Sequence, residues 1–316
     1  MTCYYPRKAF PIEGGIAFEK PRDHSGRIIK IPCKRCTGCR LDHRTNWSTR
    51  MMHEASLYES NQFVTLTYDN EHLPKNGDLD QVHMQKFFKR LRKEFSPNKL
   101  RYVYSSEYGT DKSRPHYHAI IFGLDLPDLV VKDTNDRGEP LYASAILDRI
   151  WQNGQTTTGQ VTEQSCAYVA GYMLKDIKGD YINQYETVDV ETGEVTPRKR
   201  PFARYSNRPG IGKGWFDKYK DSVFPQDVVR IYKPGEGCHT VPVPSYYFDL
   251  LEKTDPAMHA EVKAKREAAI YEPRNRWNSS PDRLKVRETC KLAKISLSGR
   301  GTKQDGQKTI YMRGTE

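Results

Sequence analysis

The sequence lacks any apolar segment approaching the roughly 18 to 20 residues that a membrane-spanning helix requires. Its first ten residues, MTCYYPRKAF, also lack the continuous apolar stretch of a secretory signal peptide. The first absence excludes a helical membrane protein, and the second argues against export. We therefore expect a soluble protein that works in a reducing interior.

A complete phosphate-binding loop is missing as well. RPGIGKGW (208–215) looks like one, but the pattern G-x-x-x-x-G-K requires glycine at position 207, where Asn207 stands. This absence excludes a nucleoside triphosphatase of the P-loop type. The surrounding stretch, RYSNRPGIGKGWFDKY (204–219), is basic, flexible and aromatic. It predicts a surface that stacks on bases and neutralises phosphates, or with equal weight a solvated loop.

Acidic residues are outnumbered, since the formal net charge is +11. The excess is concentrated in the first 50 residues, which hold eleven basic and four acidic side chains. A polyanionic partner is indicated, and nucleic acid is favoured over a membrane because no apolar amphipathic face accompanies the charge. A merely solvated basic surface is the alternative.

Three segments follow from composition and periodicity. Residues 1–50 form a basic, Cys-rich segment with little periodicity, which is expected to be irregular and stabilised by something other than a core. Residues 51–245 form the main domain, with a basic C-terminal portion. Residues 246–316 form an extension with a charged helix at 255–269 and a polar, disordered end from 296.

The main domain alternates strand and helix patterns in an order that indicates an α+β fold. The strands are expected at 62–69, 99–109, 116–123 and 156–163, and the helices at 80–94, 144–154 and 164–178. That order fits an antiparallel sheet with packed helices, of the ferredoxin-like kind. Beyond this core, 189–195 looks like a hairpin, and 198–220 is basic and aromatic.

Two histidines, His116 and His118, stand one residue apart in RPHYHAIIFG (114–123). In a strand both project from the same face, and Tyr117 projects from the other. Glu107 ends the preceding strand and is expected to pair across the turn as a third ligand. Two imidazoles and a carboxylate suit Mg²⁺ or Mn²⁺ acting on phosphate, although imidazole also accepts Zn²⁺. Taken alone, the H-x-H pattern favours ordinary polar strand residues.

The helix SCAYVAGYMLKD (165–176) carries Tyr168, Tyr172 and Lys175 on one face, which we expect to be free, while the apolar face packs on the sheet. A tyrosine with its ordinary pKa of about 10 is a poor nucleophile, so the metal or Lys175 has to favour the phenolate. Tyrosine attack on a phosphodiester leaves a phosphotyrosine that conserves the bond for rejoining. A helix with two half-buried tyrosine rings is the alternative.

A third cluster is CKRCTGC, in which Cys33, Cys36 and Cys39 have C-x₂-C-x₂-C spacing and Cys3 is a possible fourth ligand. Closely spaced cysteines in a reducing compartment more often bind metal than form disulfides, so structural Zn²⁺ is expected. An iron–sulfur cluster and unconnected thiols are the alternatives. The isolated cysteines are expected to be packing residues; they are Cys166, Cys238 and Cys290.

The sequence resembles the HUH endonucleases that initiate rolling-circle replication. FVTLTYD (63–69) matches their first motif, PHYHAIIFG (115–123) the second and YVAGYMLK (168–175) the third, in the two-tyrosine form. Together with CKRCTGCR (33–40), these motifs look most like the initiators of gokushovirus-type microviruses, and the resemblance covers about residues 30 to 215.

The resemblance implies roles for individual residues. His116 and His118 become metal ligands, Tyr168 and Tyr172 the nucleophile pair, and Lys175 the family's lysine. Glu107 rests on position and chemistry, because the third ligand varies within the family.

It also implies an activity, namely site-specific nicking and joining of single-stranded viral DNA through a 5′-phosphotyrosine. A host polymerase and a host helicase would assist in the host cytoplasm. Within the enzyme class, a plasmid initiator or a relaxase is the alternative, but relaxases place the tyrosine before the histidines. A non-enzymatic, zinc-stabilised origin or transcription regulator is the rival from another class, and it leaves the histidines and tyrosines unused.

Overall fold

Strands and helices alternate along the chain. The computed structural model describes residues 2–22, 28–109, 113–135, 137–172, 186–188, 193–233 and 237–297. The strands are β1 (Arg7–Ile12), β2 (Gly15–Ala17), β3 (Ile29–Ile31), β4 (Asn61–Thr67), β5 (Arg101–Tyr108), β6 (Pro115–Phe122), β7 (Val130–Thr134), β8 (Pro140–Ala143), β9 (Thr156–Gln160), β10 (Glu186–Val188), β11 (Val195–Pro197), β12 (Ala203–Tyr205), β13 (Val228–Lys233) and β14 (Gly237–Pro242). The helices are α1 (Thr37–Ala55), α2 (Gln81–Glu94), α3 (Ala145–Trp151), α4 (Glu163–Tyr172), α5 (Lys213–Val223), α6 (Ser245–Thr254), α7 (Pro256–Tyr271), α8 (Pro273–Asn278) and α9 (Pro281–Leu297).

A seven-stranded sheet in the order β12-β5-β6-β4-β9-β8-β7 forms the centre of the main domain. Every neighbouring pair in it is antiparallel. The expected α+β class with an antiparallel sheet is therefore confirmed, while its assignment to the ferredoxin-like HUH type stays a prediction. The strands β5, β6, β4 and β9 fall where the sequence predicts strands.

The two faces of the sheet bury different cores, because side chains alternate along each strand. On one face, apolar residues of β4 and β6 pack against α2 and α3 around Trp151, which is fully buried. On the other face, Ile120 and Phe122 pack against α1 and α4. The helix α4 presents Cys166, Val169 and Ala170 to this second core, as its periodicity predicts. The second face is the one that carries the candidate site.

The helix termini follow from capping residues. Asp80 accepts a hydrogen bond from the Val82 amide at 2.7 Å, and Ser144 one from the Leu147 amide at 3.1 Å, so each caps the helix that follows it. The sequence predicts that Gly154 ends α3, but Gln152 ends it in the left-handed conformation at φ 64°. Gly154 has another reason to be glycine: a Cβ there would collide with the backbone of β4 at Thr67.

The chain divides into two compact units. One contains the residues up to His43 together with those from Asp255 onward, and the other is Arg44–Thr254. In the first, β1 pairs with β2 and β3 in a small antiparallel sheet, and α7 to α9 follow Asp255. The domain boundaries expected from composition, at residues 50 and 245, stay predictions. No helix within the described residues has the length and apolarity to cross a membrane.

The expectation that residues 1–50 are irregular is wrong. They contain the small sheet and most of α1, whose buried residues Trp47, Met51 and Ala55 recur every four positions. That spacing is helical and could have been read from the sequence. The charged helix expected at 255–269 is confirmed as α7, with Asp255 as its N-cap.

Two further expectations are tested only in part. The strands β10 and β11 pair antiparallel around the expected hairpin, but its residues 189–192 lie outside the described residues. The expected polar end begins at 296, and 298–316 likewise lie outside them.

Candidate functional site

Two neighbouring strands bring a carboxylate and two imidazoles together. Glu107 on β5 is the direct register partner of His116 on β6, and His118 follows two residues later. Glu107 Oε2 lies 3.6 Å from His116 Nε2 and 3.7 Å from His118 Nε2. Glu107 and His118 are buried, and His116 is partly exposed. One ligand atom of each residue lies within 4.8 Å of the other two, so the predicted triad converges on one point.

The outer hydrogen bonds of the imidazoles direct the correct nitrogens inward. Nδ1 of His116 lies 3.1 Å from the carbonyl oxygen of Arg114. Because a carbonyl only accepts, Nδ1 carries the proton and Nε2 keeps its lone pair for a ligand. Nδ1 of His118 lies 3.1 Å from Thr65 Oγ1, on the neighbouring strand β4. Such contacts orient metal-ligating histidines, so this donor set fits a divalent cation.

Tyr117, between the two histidines, packs on the opposite face of the sheet, as expected. Its ring is fully buried in the core beneath α2 and α3. Its hydroxyl donates to the Asp80 carbonyl at 2.9 Å and accepts from the Asp80 amide at 2.8 Å. The bulky residue therefore anchors β6 to the start of α2 and leaves the histidine face clear.

The helix α4 places two tyrosines over the histidines. Tyr168 Oη lies 3.4 Å from His118 Nε2, and the two rings meet edge to face with centroids 4.9 Å apart. Tyr172 stacks on the same imidazole at 5.9 Å and lies 4.8 Å from the Tyr168 ring. Both tyrosines therefore face the metal-ligand triad, as their i, i+4 spacing predicts.

The two tyrosines differ in environment. Tyr168 is partly exposed, whereas only 4% of Tyr172 is accessible, so the expectation of a free polar face is wrong for Tyr172. Burial, followed by the nearby charge of Glu107, raises the pKa of Tyr172 above its usual value. Lys175, the expected third member of this face, lies outside the described residues, as do Met173 and Ile177.

The four N-terminal cysteines form a second cluster with the geometry of a metal site. Cys33 Sγ lies 3.9 Å from Cys39 Sγ, and Cys36 Sγ lies 3.9 Å from Cys3 Sγ. A tetrahedral Zn²⁺ with Zn–S bonds of about 2.3 Å separates its sulfurs by roughly 3.8 Å. Cys3, distant in sequence, is therefore positioned as the fourth ligand.

Backbone amides point at these sulfurs. The amides of Tyr4 and Cys33 donate to Cys36 and Cys3 at 3.4 and 3.2 Å. A hydrogen bond from Cys39 lowers the pKa of Cys36 to about 4, while burial raises the pKa of Cys3 to about 11. One thiolate is thus already favoured, and thiolates are what Zn²⁺ and iron–sulfur clusters bind. The four sulfurs fit a structural metal of this class.

Other expectations need correction. Cys166 is fully buried, but Cys238 and Cys290 are exposed and are not packing residues. The 204–219 stretch is not a loop throughout, because it contains the helix α5, and Ile211 is fully buried. Its glycines are required by close packing, since a Cβ on Gly212 would collide with the Tyr247 hydroxyl. The basic side chains that stay exposed in and beside this stretch are Lys199, Arg200, Arg204, Arg208 and Lys218.

Thr65 and Phe63 are site residues that the sequence did not single out. Thr65 contacts the His118 Nδ1 atom, and the Phe63 ring stacks on the same imidazole at 5.9 Å. Both lie on β4, within the FVTLTYD motif. Finding them requires the β4–β6 register, in which Thr65 stands opposite His118.

Known proteins resemble the chain over this same region. Residues 61–177 match a family model for replication-associated proteins of the ORF2 type, and this span contains the triad and both tyrosines. The chain is 30% identical over 276 residues to replication-associated protein VP4 of Bdellovibrio phage phiMH2K, which covers 84% of this chain and 82% of the relative. It is 33% identical over 247 residues to replication-associated protein ORF2 of Spiroplasma virus 4, which covers 75% and 73%. No solved structure matches the chain significantly.

Proposed function

Because the chain belongs to the microvirus-type family of phage replication-associated proteins, we propose that it cuts and rejoins one strand of the viral replication origin through tyrosine. The observation that carries this proposal is the convergence of two tyrosines on a carboxylate–imidazole triad. Tyr168 Oη stands 3.4 Å from His118 Nε2, which itself stands 3.7 Å from Glu107 Oε2. A DNA-binding regulator would have no use for such an arrangement.

Glu107, His116 and His118 would hold Mg²⁺ or Mn²⁺ through one carboxylate oxygen and two Nε2 atoms. Bound there, the ion supplies positive charge that polarises the scissile phosphate. The chain's own contribution is orientation. The Arg114 carbonyl and Thr65 Oγ1 fix the two rings, and burial of Glu107 keeps its carboxylate in place.

The chemical step exchanges one phosphodiester for another. The tyrosine oxygen forms a bond to phosphorus and gives up its proton, while the bond from phosphorus to the 3′ oxygen breaks and that oxygen gains a proton. The products are a 5′-phosphotyrosine and a free 3′-hydroxyl. Because the new link keeps the phosphodiester energy, a later attack by a 3′-hydroxyl rejoins the strand.

Tyr168 is the first nucleophile in this proposal, and Tyr172 acts in the joining step. Partial exposure lets Tyr168 reach a phosphate, whereas Tyr172 is nearly buried and its raised pKa keeps it protonated. Lys175 remains a proposed cation beside the pair. The free 3′-hydroxyl would prime a host polymerase, and a host helicase would separate the strands in the cytoplasm of the host cell.

Basic residues of residues 1–50 and of 198–220 are proposed to contact the DNA backbone. Exposed cations at Lys199, Arg200 and Arg208 support the second of these surfaces. Arg198 is different, because its guanidinium stacks 4.0 Å above the Tyr108 ring and donates to the Ser113 carbonyl at 2.9 Å. It is therefore a structural residue rather than a phosphate contact.

The test is incubation of the chain with single-stranded oligonucleotides that tile the viral origin, in the presence of Mn²⁺. A covalent protein–DNA adduct should form, and Tyr168→Phe should abolish it in a single turnover. Tyr172→Phe should leave the first adduct within a few-fold and block joining. Tyr219→Phe, which alters an exposed tyrosine outside the site, is the matched control.

Absence of an adduct with every origin oligonucleotide would remove the proposal in favour of a zinc-stabilised DNA-binding regulator. An adduct that survives Tyr168→Phe and disappears with Tyr172→Phe would reverse the assigned order of the two tyrosines.

A further inference from the structure

The helix α9 carries a basic row that the proposed chemistry does not use. Its members recur at i, i+4, i+8 and i+11, and they are Arg283, Arg287, Lys291 and Lys294. With a rise of 1.5 Å per residue, successive members stand about 4.5 to 6 Å apart along the helix axis, comparable to the spacing of phosphates on an extended strand. The same row borders a cavity of about 270 Å³, which Tyr4, Val286 and Cys290 complete.

The charge of this row is not neutralised within the described part of the chain, where none of its four side chains forms an ion pair. Arg287 donates to the Asn278 carbonyl at 3.1 Å, and the buried Nε atom of Arg283 lacks a hydrogen-bond partner among those residues. The carboxylate of Glu288 lies on a different face of α9, where it accepts from the Tyr5 hydroxyl at 2.5 Å. Four close cations beside a cavity favour a polyanion.

An aromatic ring stands at one end of the row. Trp277 on α8 is 60% exposed, and the guanidinium of Arg283 lies 4.4 Å from its ring centre. A large exposed indole beside cations is the combination that binds single-stranded nucleic acid, because bases stack on the ring while cations meet phosphates. A duplex keeps its bases stacked inside and would leave Trp277 unused.

We infer that Trp277 and the α9 basic row form a binding site for single-stranded DNA, separate from the residues of the tyrosine site. The inference rests on the proposed function only for the choice of DNA as the polyanion. One base stacks on Trp277, and the following phosphates bind along Arg283, Arg287, Lys291 and Lys294. The Tyr4 wall of the cavity is attached to the cysteine cluster, since its amide donates to Cys36 Sγ.

The first experiment measures binding of an oligonucleotide of unrelated sequence as salt is raised. The full chain carries Tyr168→Phe and Tyr172→Phe, so that no covalent adduct contributes. Adding Arg283→Gln, Arg287→Gln and Lys291→Gln should reduce the slope of log affinity against log salt by about 2, because each lost phosphate contact on a single strand removes roughly 0.7.

The matched control removes the same charge from exposed lysines that do not border the cavity, by Lys253→Gln, Lys263→Gln and Lys285→Gln. Its slope should stay unchanged. If the triple variant lost helix content by circular dichroism, the pair Lys291→Gln and Lys294→Gln would replace it, with an expected reduction of about 1.4. Equal slopes for the row variant and the control would overturn the inference.

The second experiment separates single-stranded from duplex DNA. Trp277→Ala should weaken single-stranded binding about 5- to 150-fold, the range for loss of one stacked base, and change duplex binding less than twofold. Trp277→Phe should retain most of the affinity. Equal weakening of both DNA forms would contradict the stacking role. Because this assay involves no cleavage, it can succeed even if no tyrosine adduct ever forms.

Discussion

Thr65→Val tests whether the triad is a metal site, because valine has the shape of threonine without its hydroxyl. Thr65 Oγ1 lies 3.1 Å from Nδ1 of His118. If Nε2 binds a metal, Nδ1 has to carry the proton and Thr65 has to accept it. Valine removes this acceptor. His118 must then bury an N–H that has lost this partner, at about 1 to 3 kcal/mol, or move the proton to Nε2, where it blocks the metal.

Either consequence should weaken metal binding by about 10- to 100-fold, the usual effect of removing an outer partner of a ligating histidine. The assay is the rate of covalent adduct formation as Mn²⁺ is raised. The half-saturating concentration should increase by that factor, while the rate at saturation should change little.

Thr67→Val is the matched control on the same face of β4. The hydroxyl of Thr67 donates to the Gln155 carbonyl at 3.0 Å, and no hydrogen bond among the described residues joins it to either histidine. Its half-saturating concentration should equal that of the unaltered chain. The reasoning is refuted if Thr65→Val leaves the Mn²⁺ dependence unchanged, or if both variants shift it equally.

Two further predictions concern the cysteine cluster and a buried histidine. Cys36→Ser should remove the metal bound by the N-terminal unit, whereas Cys238→Ser, at an exposed cysteine, should retain it; elemental analysis that finds neither zinc nor iron in the unaltered chain would contradict the metal assignment. Burial lowers the pKa of His53 to about 3. Because its pKa is about 6.5 when unfolded, the unfolded state binds more protons between these values, and stability is full above pH 6.5 and falls as the pH decreases. From pH 7 to pH 5 the loss should be about 2 kcal/mol by urea unfolding. In His53→Gln the difference should be smaller by that amount, and an unchanged pH dependence would exclude His53 as its cause.

Local periodicity was sufficient to predict the faces of the site. The period of two in β6 places His116 and His118 together, and the i, i+4 spacing places Tyr168 and Tyr172 on one face of α4. The pairing of Glu107 with His116 followed from a short turn between neighbouring strands. These relations involve residues close in the chain, where geometry leaves few alternatives.

Relations between distant segments could not be predicted in the same way. Thr65 belongs to the site only because β4 pairs with β6, and two antiparallel strands can pair in many registers. The burial of Tyr172 depends on how closely α4 packs on the sheet, which a helical wheel does not show. The row on α9 was read from composition as a charged extension, since only tertiary structure places Trp277 and a cavity beside it.

The position of the triad is determined by the two cores rather than by the site itself. In β6, Tyr117, Ala119 and Ile121 fill one core, while Ile120 and Phe122 fill the other. A shift of β5 by one residue against β6 would turn Glu107 to the opposite face and expose or misplace each of its buried neighbours. Such a shift would bury a carboxylate among apolar side chains, which is strongly unfavourable. The packing that stabilises the sheet therefore also holds Glu107 opposite His116, so conservative core substitutions in β5 and β6 should preserve the distances of the triad.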